Sequence, residues 1–219
     1  MTSIFQRALG ADFDRLHPQL RRRFGFSSGH ACVGTGVMDE VWRGKAFTRP
    51  FLALGARRHI LVPKIGADVP FVIENYAYRD SYGRETVTFV RTFDFDRPHR
   101  WDATMVYSEE RGTVVDYLGT HQHLAVDLAM SVDDGDLVIR TGAQRWTEGP
   151  VTFGVPLLVS GVATVRESYD DALGKFRISV RVDNHRFGPL FGYHGAFVAS
   201  YAERAAPARI RPRRETLRV

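Results

Sequence analysis

The fold is indicated most clearly by residues 70–95, whose sequence is PFVIENYAYRDSYGRETVTFVRTFDF. Apolar side chains recur at every second position, most regularly from Val87 to Phe95. A period of two places successive side chains on opposite faces of a β-strand. Ser81-Tyr82-Gly83 has the residue types of a tight turn. The stretch therefore predicts a β-hairpin of strands 70–79 and 84–95.

Most of the remaining chain has the same period of two. Short, turn-separated strands in this number predict a sheet that closes on itself, because open strand edges invite aggregation. Residues 47–55 are predicted to form a short helix, and residues 147–158 an irregular crossing. The other predicted strands are Ala31–Trp42, His59–Ile65, Trp101–Ser108, Thr113–Leu118, His121–Val132, Leu137–Thr141, Gly161–Tyr169, Lys175–Asp183 and Tyr193–Ala202.

The N-terminal residues 4–24 have a helical period instead. Apolar residues recur there at spacings of one, three or four, and Arg21, Arg22 and Arg23 fall largely off this stripe, so they should face solvent. Gly10 and Pro18 interrupt the pattern, which predicts two short helices. The predicted fold is mostly β: an antiparallel calycin-like barrel of about ten strands with N-terminal amphipathic helices.

Length and composition are typical of one globular domain. The 219 residues suit an undivided β-barrel, and the single cysteine, Cys32, excludes an intramolecular disulfide. No apolar run reaches the length of a signal peptide or a membrane span. A cytoplasmic protein is therefore expected.

The positive charge is concentrated at the C-terminus. Residues 203–219 contain six arginines and two glutamates, which account for four of the five net positive charges. A nucleic-acid-binding protein usually has its basic surface on the folded body, so no nucleic-acid partner is expected. The composition predicts a domain over residues 1–203 and a disordered basic tail over 204–219.

Two segments carry a family resemblance. Residues 4–16, IFQRALGADFDRL, and residues 187–197, FGPLFGYHGAF, resemble the opening and closing motifs of a bacterial family, domain of unknown function 4166. The intervening strand pattern fits too, so the resemblance covers about residues 2–202. Members of that family occur alone and fused behind dehydrogenase-like domains. The resemblance implies the fold and supplies no catalytic residues.

A charged residue within an apolar strand face is the first candidate for a site. Alternation places Arg91 on the face that carries Phe89 and Phe93, where an unpaired arginine would be costly to bury. A two-residue Tyr82-Gly83 turn would place Glu74 opposite Arg91. The pair is either a buried ion pair that sets the strand register or a polar feature of a ligand cavity.

Two histidine-containing motifs are further candidates. Tyr193 and His194 lie between two glycines, and only one of them can face the interior because neighbouring strand residues alternate. The motif is either a simple closure of the barrel or the source of a proton donor or acceptor in a cavity. His121-x-His123 resembles half of a cupin metal site, but neither Asp127 nor a later histidine completes it. We therefore expect no metal.

A glycine motif and the aromatic residues complete the candidates. Gly34-Thr35-Gly36 lacks the third glycine and the helix of a dinucleotide site, so no cofactor is expected. A barrel of this size is about wide enough for one small ligand. The predicted lining residues are Tyr76, Tyr78, Phe89, Phe93, Trp101, Tyr107 and His123.

The leading hypothesis from the sequence is a barrel that binds one hydrophobic small molecule. Its extension is a cofactor-free cyclase or isomerase of bacterial secondary metabolism, which needs shape and a few hydrogen bonds more than a catalytic triad. Glu74, Arg91, Tyr193 and His194 are the candidate catalytic residues. A non-catalytic lipid or metabolite carrier and an interaction module that serves a dehydrogenase partner are the alternatives.

Overall fold

The computed structural model describes residues 2–45, 56–57, 59–60, 62–148, 150–156, 160–213 and 215–218. Helices α1 (Ile4–Leu9) and α2 (Pro18–Phe24) flank a 3-10 helix, Gly10–Arg15, and a 3-10 turn near the C-terminus spans Ala208–Ile210. The strands are β1 (His30–Arg43), β2 (Gly66–Arg79), β3 (Glu85–Asp94), β4 (Pro98–Ser108), β5 (Thr113–Leu118), β6 (Leu124–Asp133), β7 (Asp136–Glu148), β8 (Val151–Gly154), β9 (Val162–Asp170), β10 (Lys175–Asn184) and β11 (Gly188–Glu203).

Ten of these strands form a closed antiparallel barrel. Strands β1 to β7 pair in chain order, β7 also pairs with β9, and β9, β10 and β11 lead back to β1. Strand β8 pairs with β7 and is an addition to the ring. The prediction of a mostly β, antiparallel barrel of about ten strands with N-terminal helices is confirmed.

The N-terminal helices are packed on the barrel core, where their local sequence places them. Ser3 caps α1 through reciprocal hydrogen bonds with Gln6, and α1 ends at Gly10, whose φ of 54° is accessible to glycine. Pro18 is the first residue of α2, where its missing N–H is no loss. The apolar stripe, from Ile4 to Phe24, is buried in the main core.

The β2–β3 hairpin has a different register from the predicted one. Arg79 pairs with Glu85, so five residues form the loop, and the Asp80 carboxylate accepts hydrogen bonds from the N–H groups of Tyr82 (3.0 Å) and Arg84 (2.9 Å). Arg91 is consequently opposite Ile73. A shift of one residue exchanges the faces of a strand. The predicted Glu74–Arg91 pair is wrong, because the two side chains lie on opposite faces.

Two other segments differ from the sequence prediction, and a third lies outside the described residues. Residues 59–60 and 62–65, predicted as part of a strand, are not in a strand. The predicted irregular crossing at 147–158 contains the end of β7 and strand β8, which form a hairpin. The helix predicted at 47–55 lies outside the described residues.

The C-terminal tail is packed along the outer wall, which differs from the expected disorder. Ile210 is 2% exposed and packs against Tyr76 and Tyr78 on the outer face of β2. Arg209 forms an ion pair with Glu74, with 2.6 Å between Nη2 and Oε1. The outer face of β2 is aromatic, and burial of that face by the tail stabilises the ordered arrangement.

Truncation after Glu203 is therefore expected to lower the free energy of unfolding by about 2–3 kcal/mol, since burial of one isoleucine alone contributes roughly 1.5–3 kcal/mol. Urea unfolding of the truncated and full-length chains measures this difference. Ile210→Ala should reproduce much of the loss, whereas Leu217→Ala, at an exposed position, should have little effect. An unchanged unfolding midpoint after truncation would show that the tail contributes nothing.

Candidate ligand site inside the barrel

Arg91 is a buried cation among aromatic rings inside the barrel. Alternation along β3 turns it inward with Phe89 and Phe93, and it is 7% exposed. Its guanidinium carbon lies 4.8 Å from the centre of the Trp101 ring and 5.4 Å from that of Phe89. These are cation–π distances. Among the described residues, the Arg91 Nε–H has no hydrogen-bond partner.

Asp116 places a carboxyl group on the same interior surface. It lies on β5 between Val114 and Leu118, opposite Met105 of β4 and Val126 of β6. Its Oδ1 atom is buried and has no hydrogen-bond partner within the described ranges. Burial raises the pKa of Asp116 to about 7, although the positive charge of Arg91 acts in the opposite direction. The carboxyl group can therefore gain or lose a proton near neutral pH.

Tyr193 adds a buried phenol beside these groups. Its ring packs edge-on against Phe93 and Trp101, with centroids 5.0 and 5.9 Å away. Burial raises the pKa of Tyr193 to about 12, so the hydroxyl stays protonated and can donate or accept a hydrogen bond. In the part of the chain that the structure describes, neither this hydroxyl nor the Trp101 indole N–H has a hydrogen-bond partner.

An interior cavity of about 70 Å³ lies beside Arg91, Trp101 and Asp116. Its remaining wall is mostly apolar and includes Phe89, Leu118, Leu128 and Ile139. Apolar walls with a few convergent polar groups are typical of small-molecule sites. The cavity is smaller than the roughly 150 Å³ that accepts benzene in an apolar core, so a ligand would have to displace side chains.

A second polar cluster lies under the helical cap, which is formed by α1 and α2. Arg23 of α2 enters the barrel, where it forms an ion pair with Glu167 of β9 and donates to Asn75 Oδ1 (2.9 Å) and Cys32 Sγ (3.2 Å). Burial alone would lower the pKa of Arg23, but the Glu167 carboxylate raises it above the usual range. Glu167 also lines the cavity, so the two clusters are adjacent.

Comparison with known proteins places the chain in a family. Residues 16–197 match the profile of the family described as Domain of unknown function (DUF4166). The chain belongs to the DUF4166 family. It is similar to the Uncharacterized protein YndH of Bacillus subtilis (strain 168), with 31% identity over 199 residues that cover 90% of this chain and 97% of that protein. No solved structure matches the chain.

Five of the predicted site residues of this DUF4166 chain are buried inside the barrel. They are Arg91, Tyr193, Phe89, Phe93 and Trp101. Tyr107 also lies on the inner face of β4, but it is only partly buried and stacks with Arg7 of α1, whose guanidinium carbon is 4.3 Å from the ring centre. The interior groups come from β3, β4 and β11, and the closure of the sheet brings these strands together.

The remaining predicted residues lie away from the interior. His194 follows Tyr193 along β11 and faces outward. Tyr76 and Tyr78 are on the outer face of β2 under the tail, with Glu74 beside them. Their burial results from the C-terminal segment and not from a ligand cavity. These outer-face residues therefore do not line the barrel interior, contrary to the prediction.

His121 and His123 precede β6 instead of lying within a strand. Their ring centroids are 5.7 Å apart, and His123 Nδ1 lies 2.8 Å from a Glu148 carboxylate oxygen. Within the described ranges, no group of three or more His, Cys, Asp or Glu residues could hold a metal. The expectation of a metal-free protein remains a prediction. In the same ranges, no helix has the length and apolarity needed to cross a membrane.

The glycines of Gly34-Thr35-Gly36 allow close packing between strands of this DUF4166 barrel. A Cβ atom on Gly34 would lie 2.6 Å from the Phe197 ring and 2.7 Å from Ile73. On Gly36 it would lie 2.1 Å from the Ala196 carbonyl oxygen. Such contacts are too short for any side chain, so the motif serves the packing of β1 against β2 and β11.

Sequence reasoning missed Asp116, Glu167 and Arg23. Asp116 could have been found by the rule that identified Arg91, because it is an isolated charge in the apolar run Val114–Leu118. Arg23 was predicted to face solvent with its two arginine neighbours, yet it is 1% exposed. Its spacing did contain a signal, because Arg23 follows Leu20 by three residues and therefore lies on the same helix face, whereas Arg21 and Arg22 do not.

Proposed function

We propose that the barrel binds one small hydrophobic molecule in its interior and holds the polar group of that molecule at Arg91, Asp116 and Tyr193. One observation carries the proposal: among the described residues, three that line one mostly apolar cavity have buried polar atoms without a hydrogen-bond partner. These atoms are Arg91 Nε, Trp101 Nε1 and Asp116 Oδ1, and the Tyr193 hydroxyl, also without a partner there, belongs to a ring that packs against Trp101. An unsatisfied buried polar group costs about 1–3 kcal/mol, and a bound ligand can supply the missing hydrogen bonds.

The wall between β7 and β9 supports a route for ligand entry. Main-chain pairing of these strands stops at Arg140 and Thr164, and the next residues, Thr141 and Ala163, line the cavity. Beyond that point, side-chain hydrogen bonds continue the contact, from the Ala163 N–H to Thr141 Oγ1 (2.7 Å) and from Gln144 Nε2 to the Gly161 carbonyl oxygen (2.6 Å). Two side-chain hydrogen bonds open more easily than a continuous β-ladder. Met105, which also lines the cavity, is a side chain that readily adapts its shape.

The pKa of Asp116 favours a reaction over simple carriage. A carboxyl group that titrates near neutral pH is suited to general acid–base catalysis. Asp116 would take a proton from a carbon beside a carbonyl group and return it to another position of the same molecule. Arg91 and Tyr193 would stabilise the negative oxygen formed in between. Such an isomerisation, or a cyclisation that begins in the same way, needs no oxidant and no cofactor.

Benzyl alcohol is expected to bind to the barrel interior with saturation, as measured by NMR from the Trp101 indole N–H. Ala163→Leu should weaken this binding at least about tenfold, because it adds three carbon atoms to the cavity wall and overpacks the site. Ala129→Leu makes the same change at an exposed position of β6 and should leave binding unaltered. Absence of saturable binding, or equal binding by both variants, would contradict an interior site.

A further inference from the structure

We propose that the ligand of this interior site is a monocarboxylate, with its carboxylate held between Arg91 and Asp116 and its apolar body against the aliphatic wall. The inference rests on the proposed function and adds the chemical class of the ligand. The donors around the cavity, the charge of the interior and the shape of the cavity support it.

Hydrogen-bond donors predominate among the unpartnered atoms. Arg91 Nε and Trp101 Nε1 can only donate, and the Tyr193 hydroxyl can donate as well. Asp116 is an acceptor when ionised and becomes a donor when protonated. A ligand oxygen with several lone pairs and a negative charge satisfies these groups together, and charge-assisted hydrogen bonds are the stronger kind. A neutral alcohol can satisfy only part of the set.

The charge of the interior also favours an anion. Arg23 and Glu167 neutralise each other as an ion pair. Arg91 forms no ion pair with Asp116 among the described contacts, and protonation of Asp116 leaves the Arg91 charge without any counter-charge. An isolated buried cation is unfavourable, so an entering carboxylate would supply the charge that the protein lacks.

The groups that face Asp116 identify which charges govern binding. Arg91 on β3 is the charged group that acts on it, and Glu167 on β9 lines the same cavity but is paired with Arg23. The paired neighbours of Asp116, Met105 and Val126, do not titrate. Ionisation of Asp116 would place a second negative charge beside the ligand carboxylate and weaken its binding.

The cavity matches the carboxyl end of such a ligand. About 70 Å³ is space for a small polar group, and Leu118, Leu128 and Ile139 continue the wall beyond the polar residues. The apolar body would lie along these aliphatic side chains after the same side-chain displacements that any interior ligand requires. The arrangement therefore favours a compact acid with one charge.

Calorimetric titration with hexanoate and with hexan-1-ol tests the inference, because the two probes share an apolar chain and differ at the head group. Wild-type protein is expected to bind hexanoate at least about tenfold more tightly than hexan-1-ol, a difference of about 1.4 kcal/mol. Arg91→Met should remove this preference and keep the binding of hexan-1-ol, which also shows that the site is still folded. Arg177→Met, on the exposed surface of β10, is the control and should change neither affinity.

The outcomes separate the two proposals. If neither probe binds, both the proposed function and the present inference fail. If both probes bind equally and Arg91→Met changes nothing, the interior site stands and the monocarboxylate assignment is wrong.

A pH series provides a second test of the assignment. Hexanoate affinity in the wild type should fall about tenfold between pH 6 and pH 8 as Asp116 loses its proton. Asp116→Asn cannot ionise, so it should retain binding without this pH dependence. A wild-type affinity that is constant over the range would contradict the role assigned to Asp116.

Discussion

Replacement of Arg23 by methionine is expected to lower the free energy of unfolding by about 3–5 kcal/mol, the largest effect of any single change considered for this barrel. Arg23 is 1% exposed and its partner Glu167 is 3% exposed. Removal of the cation would leave the Glu167 carboxylate buried without its counter-charge. Asn75 and Cys32 would lose a hydrogen-bond donor as well. Urea unfolding monitored by circular dichroism measures the loss.

The double variant Arg23→Met with Glu167→Gln is expected to recover most of that stability, because it removes both charges and keeps the packing volume. Arg21→Met changes an exposed arginine of the same helix and serves as the control. If the stability of Arg23→Met matched that of Arg21→Met, the ion pair would not hold the helical cap on the barrel.

Ionisation of Asp116 is expected to make the wild-type protein less stable as the pH rises. The pKa of this group is raised from 3.8 to about 7 on folding, so the folded protein holds its proton more tightly than the unfolded chain does. The unfolded chain therefore ionises first, and the folded state loses relative stability between these two values. The free energy of unfolding should fall by roughly 2–3 kcal/mol from pH 5 to pH 8, because each pH unit between the two pKa values costs about 1.4 kcal/mol.

Comparison with Asp116→Asn isolates this contribution from the other titrating groups. As the pH rises from 5 to 8, the free energy of unfolding of Asp116→Asn should increase relative to that of the wild type by the same roughly 2–3 kcal/mol. Asp14→Asn, at an exposed position in the 3-10 helix, should show no such trend. Parallel pH profiles for Asp116→Asn and the wild type would mean that the carboxyl group is already ionised in the folded protein.

These two results would also distinguish a structural ion pair from the two charged groups that we propose to bind the ligand. Arg23 and Glu167 lie in contact and satisfy each other, as expected of residues that stabilise the fold. Arg91 and Asp116 share a cavity without such a contact and leave polar atoms unsatisfied. Destabilising arrangements of this second kind are retained where they serve binding or catalysis.

The sequence by itself determined the features that depend on local geometry. A side-chain period of two is a property of the extended backbone, so it predicted the strands and the inward position of Arg91 between Phe89 and Phe93. Gly10 and Pro18 act through their own backbone restrictions, so they predicted where the helices break. The many short strands also predicted the barrel, because a sheet that closes on itself leaves no open strand edge.

Only the tertiary structure decided which distant residues meet. The Asp80 carboxylate accepts two main-chain hydrogen bonds within a five-residue hairpin loop, and the one-residue shift in strand register that accompanies this loop places Glu74 on the outer wall. There it pairs with Arg209 of a tail whose composition predicted disorder. Arg23 is buried because Glu167, far along the chain, lies opposite it once the sheet closes. Register and ring closure depend on contacts between remote segments, and local periodicity contains no information about them.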